Sequence, residues 1–135
     1  QYHHFQVKEH FKMNIKISNG ELLDRISILE LKKLRMKDAA NLAVVEKEFL
    51  ILNKKCISLF TKNDSTLQVL YLELARINGA LWDLENKVRS GDLRDKEFIN
   101  ASKQIFKLNE QRNSFKNDIN LITGSEAFEA KEYDT

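Results

Sequence analysis

At 135 residues, with no proline, four glycines and 31% charged side chains, the chain has room for one domain with a real core and the composition of a mainly helical protein. The formal net charge is +2: Glu126, Glu129, Glu132 and Asp134 against Lys131 make residues 125–135 −3, which leaves +5 spread thinly over the rest. That dispersion argues against a nucleic-acid partner, which calls for a concentrated basic face. Cys56 is the only cysteine, so an intrachain disulfide and a cysteine zinc cluster are both ruled out. No apolar run approaches the ~20 residues of a membrane span, and no basic start followed by an apolar core marks a signal peptide. The expectation is a cytoplasmic protein that neither contacts a membrane nor carries a cofactor.

Residues 1–13 fit neither a helical nor a strand pattern and read as a mobile extension, either an alternative start ahead of Met13 or an expression remnant. His3, His4 and His10 lie here. Imidazoles suit zinc or nickel, but solvated histidines on a mobile segment are the simpler reading, and no metal site is expected. Asn14 to Ile17 alternates polar and apolar residues, which suggests a short strand or an extended lead-in.

The first helix opens at Ser18. Ser18 and Glu21 have the S-x-x-E spacing of a capping box, and Glu21 and Asp24 place negative charge at the positive end of the helix dipole. Leu22, Leu23, Ile26, Leu29, Leu34 and Met36 form one broad apolar face. Ile28 and Leu31 fall outside it, so the helix is expected to touch neighbours on more than one side. Glu30, between Ile26 and Leu34, is a charge inside the apolar arc.

The stretch G-E-L-L-D-R-I-S-I-L-E-L-K resembles the opening of a bacterial family known only as a domain of unknown function, whose members typically read G-E-L-[LI]-D-K-[IL]-T-I-L-E-I-K. The resemblance continues through N-G-A-L-W-D-L-E (78–85), N-E-Q-R-N-S-F-K-N-D-I-N (109–120) and, more loosely, K-E-Y (131–133), so it covers most of the chain from Ile15 onward. Arg25 stands where that family has Lys, and Ala39 where a Pro is expected. The resemblance implies no activity.

Asp38 is a plausible N-cap for a second helix running to about Lys62. Leu42, Val45, Phe49, Leu52, Cys56 and Leu59 follow the alternating 3, 4 spacing of a coiled-coil seam, while Leu50, Ile51, Ile57 and Phe60 widen the apolar area. Because Ala39-Ala40 do not break a helix, the alternative is a single bent rod through both. T-K-N-D-S-T makes a turn, with Asp64 or Ser65 capping a third helix to about Arg89. Its seam is Leu67, Leu70, Leu74, Ile77, Leu81, Leu84 and Val88. Beside it runs a second stripe, Tyr71, Ala75, Asn78, Trp82 and Glu85, which reads as extra core or an interface before it reads as a ligand platform. Gly79 sits in mid-helix at a cost of about 1 kcal/mol against Ala; it either marks a close helix approach or is tolerated.

After R-S-G-D-L-R-D a fourth helix runs from about Asp95 to Ile122 and ends at Gly124, which supplies the left-handed residue. Its seam is Phe98, Ala101, Ile105, Leu108, position 112, Phe115, Ile119 and Ile122. Position 112 is Arg, flanked by Asn109 and Lys116.

The whole reads as an all-α antiparallel bundle of about four helices over residues 14–124, with a short extended lead-in and an acidic tail at 125–135 in which Phe128 and Tyr133 could dock. There is no phosphate loop, nucleophile elbow or H-E-x-x-H, and the histidines all precede Met13, so no histidine triad fits in the helical body. The functional expectation is a non-catalytic oligomerising or partner-binding module, with a homodimer as the natural oligomer. The alternative is a small all-α enzyme or ligand-binding protein with a charged inter-helix pocket for a small anionic molecule. Its candidate residues are Glu30, Asn78, Trp82, Glu85, Asn109, Arg112 and Lys116. Depth counting from the bundle ends predicts a Glu30–Arg112 ion pair with Asn78 and Asn109 beside it.

Overall fold

The computed structural model describes residues 15–63 and 65–126. Four α-helices make up almost all of it: α1 (Asn19–Arg35), α2 (Ala39–Lys62), α3 (Ser65–Ser90) and α4 (Asp95–Thr123). They form the predicted helical bundle, with Ile15 to Ser18 as a non-helical lead-in and no strand among the described residues. The histidines, Asp64, Phe128 and Tyr133 lie outside the described residues.

The boundaries follow from local chemistry. Met36 is extended (φ −79°, ψ 144°) and closes α1 with its N–H on the Lys32 carbonyl, and Asp38 accepts the Ala40 N–H to start α2. The single bent rod is therefore not formed: three non-helical residues separate the two helices. At the head of α4 the Glu97 carboxylate reaches back to the Arg94 N–H at 3.1 Å. Gly124, at φ +69°, ends it in a Schellman turn, in which the Ser125 N–H bonds the Asn120 carbonyl and the Gly124 N–H that of Leu121.

The shortest helix is the central one. α1 packs on all three others, α3 packs along α4, and α2 rests chiefly on α1. Leu22, Leu23 and Ile26 of α1 meet Cys56 of α2, Leu67 and Leu74 of α3 and Ile119 of α4 in one core. Cys56 is buried on the α2 seam, as its spacing predicts. Truncating a fully enclosed side chain such as Leu23 to alanine would cost about 2–5 kcal/mol.

Burial along α1 depends on depth as much as on angle. Every buried residue of α1 precedes Glu30. Leu34, predicted on the core face, is 83% exposed, and Glu30 is exposed as well. Glu30 lies one turn beyond the buried Ile26, and Leu34 one turn beyond Glu30; Leu29 is the last residue of α1 that its neighbours enclose.

The second stripe of α3 faces α1. Tyr71 donates its hydroxyl to Glu30, Asn78 bonds Asp24 and Ser27, and the Arg35 guanidinium lies 6.0 Å from the Trp82 ring centroid while pairing with Asp83 at 2.7 Å. Gly79 is tolerated rather than required, because the nearest atom to an added Cβ would be the Arg35 side chain at 3.9 Å.

Helix lengths leave part of the bundle thin. At 1.5 Å per residue, α1 is roughly 25 Å long and α4 roughly 43 Å. The end of α1 meets α3 at Asp83, level with Leu108 of α4 across the groove lined by Asp83, Lys107 and Leu108. Beyond that level α3 and α4 continue as a two-helix hairpin. Between Asp95 and Leu108 only Ala101 is buried.

Candidate functional site

The polar residues of the bundle converge where α1 crosses α4, and the contact is built from the α1 N-terminus upward. The first amides of a helix lack intrahelical partners. Here each of the first four finds one: Asn19 N–H on Ser125 Oγ (2.9 Å), Gly20 N–H on Asn120 Oδ1 (2.7 Å), Glu21 N–H on Ser18 Oγ (3.1 Å) and Leu22 N–H on the Ser18 carbonyl (3.0 Å). The Asn19 side chain adds a bond to Thr123 Oγ1 at 2.9 Å. The end of α4 thus caps the start of α1, and Ser125 belongs to the bundle through its Oγ.

Gly20 is what permits this approach. A Cβ there would stand 2.3 Å from the Lys116 carbonyl oxygen, a backbone atom that cannot swing away. The close helix contact in this fold is at Gly20. With Oδ1 committed to the Gly20 amide, Asn120 Nδ2 is buried without a partner among the described residues.

One turn on, the Lys116 ammonium reaches Glu21 Oε1 at 2.7 Å, while Glu21 Oε2 accepts from Arg25 at 3.0 Å. The next rung is the most enclosed. Asp24, 1% exposed, receives Arg112 through Nε on Oδ1 (3.0 Å) and Nη2 on Oδ2 (2.6 Å). Asn78 Nδ2 adds a bond to Asp24 Oδ1 at 2.9 Å and one to Ser27 Oγ at 2.7 Å. Asn109 Oδ1 lies 3.5 Å from Arg112 Nη1, and Lys116 Nζ stands 4.0 Å from Asp24 Oδ2. The hydrogen bonds that Arg112 donates to Asp24, and then the charges of Asp24, Glu21 and Glu85, hold its guanidinium more firmly protonated than usual, against the opposing effect of burial.

The predicted Glu30–Arg112 pair is thus corrected: the partner of Arg112 is Asp24. Asn78 and Asn109 do stand beside Arg112, but the acid is six residues earlier on α1, on a different face. Glu30 turns toward α3, where it accepts the Tyr71 hydroxyl at the edge of a separate cleft. The predicted candidates therefore divide. Asn78, Asn109, Arg112 and Lys116 share one network, with Glu85 contributing its field. Trp82 sits half-buried under Arg35, and Glu30 lies elsewhere.

Sequence reasoning missed Asp24, Glu21, Gly20 and Asn120. Asp24 passed for a dipole-compensating residue of the first turn. The available signal was a pair of matched stripes: Gly20, Glu21 and Asp24 on α1, and Asn120, Lys116 and Arg112 at spacings of four on α4. Antiparallel, they meet as three rungs of complementary hydrogen bonding and charge.

Chemically this is a closed lock. The cations of Arg112 and Lys116 each hold a carboxylate of α1 at hydrogen-bond distance, and Asp24 is enclosed. Among the described residues, no group of three histidine, cysteine or acidic side chains is arranged to hold a metal, and no helix is long and apolar enough to cross a membrane.

A protein-family model, described as a family of unknown function (DUF6165), matches residues 13–135. No curated protein and no solved structure matches the chain.

Proposed function

This chain belongs to the DUF6165 family, which hands down no activity, and we propose from its own geometry that it is a non-catalytic helical module that associates with a second copy of itself. The observation that carries this reading is the two-helix hairpin beyond the end of α1. There Phe98, Ile99 and Phe106 are 45%, 52% and 66% exposed on one stretch of α4, where a bundle of full-length helices would supply a third and fourth neighbour.

A second hairpin, packed antiparallel about a twofold axis, supplies those neighbours and completes four helices. Taking ~200 Å² for each of the three side chains when fully exposed, they leave roughly 300 Å² of apolar surface per copy. That is the apolar part of a modest dimer interface, and Lys103, Lys107 and Glu110 around it provide a polar rim. Burying roughly 600 Å² in both copies gives about 15 kcal/mol gross, against an association cost of about 4–15 kcal/mol, which favours a reversible dimer over an obligate one.

The enzymatic alternative draws no support from the polar network, since an anionic ligand would have to displace Asp24 and Glu21 from Arg112 and Lys116. Sedimentation equilibrium tests the proposal. The full chain should approach twice its 15.8 kDa mass as concentration rises, and Phe106→Glu should return it to monomer with its helical circular dichroism intact. A concentration-independent monomer, or a dimer indifferent to Phe98→Glu and Phe106→Glu, would overturn it.

A further inference from the structure

A cleft of about 310 Å³ lies between α1, α2 and α3, far from the α4 hairpin and outside the polar lock. Its walls include Ile26 of α1 and Phe49 and Phe60 of α2, and its charged group is Glu30, with Tyr71 beside it. The volume falls at the small end of ligand pockets, and the make-up, mostly apolar with a few converging polar groups, is what such sites show.

The chemistry of the cleft is one-sided. No lysine or arginine lines it. Glu30 accepts the Tyr71 hydroxyl, and no cation among the described residues comes within ion-pair distance of its carboxylate. Phe60 meets Tyr71 edge-on, centroids 5.8 Å apart at 90°, and Phe49 stands on the same helix as Phe60. The Phe49 ring already takes an ammonium: the chain's own Lys33 Nζ lies 4.1 Å from its centroid. Burial first, and then Glu30, lift both the Tyr71 phenol and the Cys56 thiol toward their neutral forms, so the negative field of Glu30 is felt on two sides of the cleft.

We propose that this cleft binds a small organic ammonium carrying an apolar group. The ammonium is placed at Glu30, within reach of the Tyr71 oxygen, whose lone pairs remain open to an N–H donor while its hydrogen goes to the carboxylate. The apolar group lies along Ile26, Phe49 and Phe60. A carboxylate or phosphate would meet Glu30 as a like charge, with no lysine or arginine among the lining residues to offset it. Polar groups that could read the rest of the ligand are Asn53 and Gln68.

The test uses three probes of one skeleton, phenethylammonium, phenylacetate and 2-phenylethanol, with butylammonium as an aliphatic check, each titrated into the full chain by calorimetry and by amide NMR. Phenethylammonium should bind, with shifts confined to α1, α2 and the first turns of α3, at least about tenfold tighter than the acid or the alcohol. Glu30→Gln should weaken it by about tenfold or more, Tyr71→Phe by less, and Phe106→Glu not at all. Glu30 is exposed, so its variant is expected to fold, and Trp82 fluorescence reads that independently. Failure of both ammonium probes to bind, equal binding of phenylacetate, or binding unchanged by Glu30→Gln would overturn the proposal.

Discussion

Asp24 and Arg112 lend themselves to a double-mutant cycle whose asymmetry is set by the structure. Arg112→Met strands a carboxylate that is 1% exposed, with only the Asn78 amide and a Lys116 ammonium 4.0 Å away to hold it. Asp24→Ala strands a guanidinium whose side chain is 27% exposed and which keeps Asn109, so water can compensate in part. Breaking a buried pair from one side costs about 3–5 kcal/mol; Arg112→Met belongs at the upper end and Asp24→Ala at about 2–3 kcal/mol. The double variant leaves no stranded charge, and its loss should fall below the sum by about 2–3 kcal/mol of coupling. Urea unfolding followed by Trp82 fluorescence and circular dichroism measures all four corners. With a slope of about 2 kcal/mol/M, a 3 kcal/mol loss moves the midpoint by about 1.5 M. Strictly additive losses, or Arg112→Met costing less than Asp24→Ala, would refute the reasoning that Asp24 is the buried partner.

Two glycines separate close approach from tolerance. Gly20→Ala should destabilise by several kcal/mol, because its Cβ would meet a backbone oxygen at 2.3 Å, while Gly79→Ala should stabilise by about 1 kcal/mol; thermal melts of both check this. Tyr71 should resist ionisation. Its folded value is raised by burial and by Glu30, so its contribution to stability is complete below about pH 10, its unfolded value, and is lost progressively as pH rises beyond it. Alkaline unfolding with tyrosinate absorbance should show Tyr71→Phe less sensitive above that pH than the unaltered chain; equal sensitivity would contradict the Glu30–Tyr71 contact.

Several helix boundaries were legible because they are written in local chemistry. Ser18, Asp38 and Gly124 act where their residue types indicate, and the seam of α2 buries Val45 and Cys56 as its spacing requires. The polar lock was not legible in the same way. Periodicity reports the angle at which a side chain leaves its helix, whereas burial also depends on which neighbours reach that depth. Glu30 and Leu34 share the angle of the core but lie past Leu29, the last buried residue of α1. Asp24 lies within the enclosed half and is surrounded although its angle looked polar. Gly20 stood in a helix first turn, where a glycine draws no attention, and only the three-dimensional position of the Lys116 carbonyl gives it a purpose. The hairpin surface was half legible: the α4 seam predicted an apolar Phe98, but not that α1 would be too short to cover it.

A cross-link across the proposed twofold tests the self-association account most directly. Ser102 lies one turn from both Phe98 and Phe106 on α4 and is exposed. On a Cys56→Ser background, Ser102→Cys should oxidise rapidly and nearly completely to a disulfide dimer at concentrations where the unaltered chain self-associates, with no loss of helical content. A cysteine at Val44 or Ile51, on the exposed flank of α2, should remain monomeric under the same oxidant. Cross-linking at α2 in preference to Ser102, or at neither, would contradict the claim that the α4 hairpin is where two copies meet.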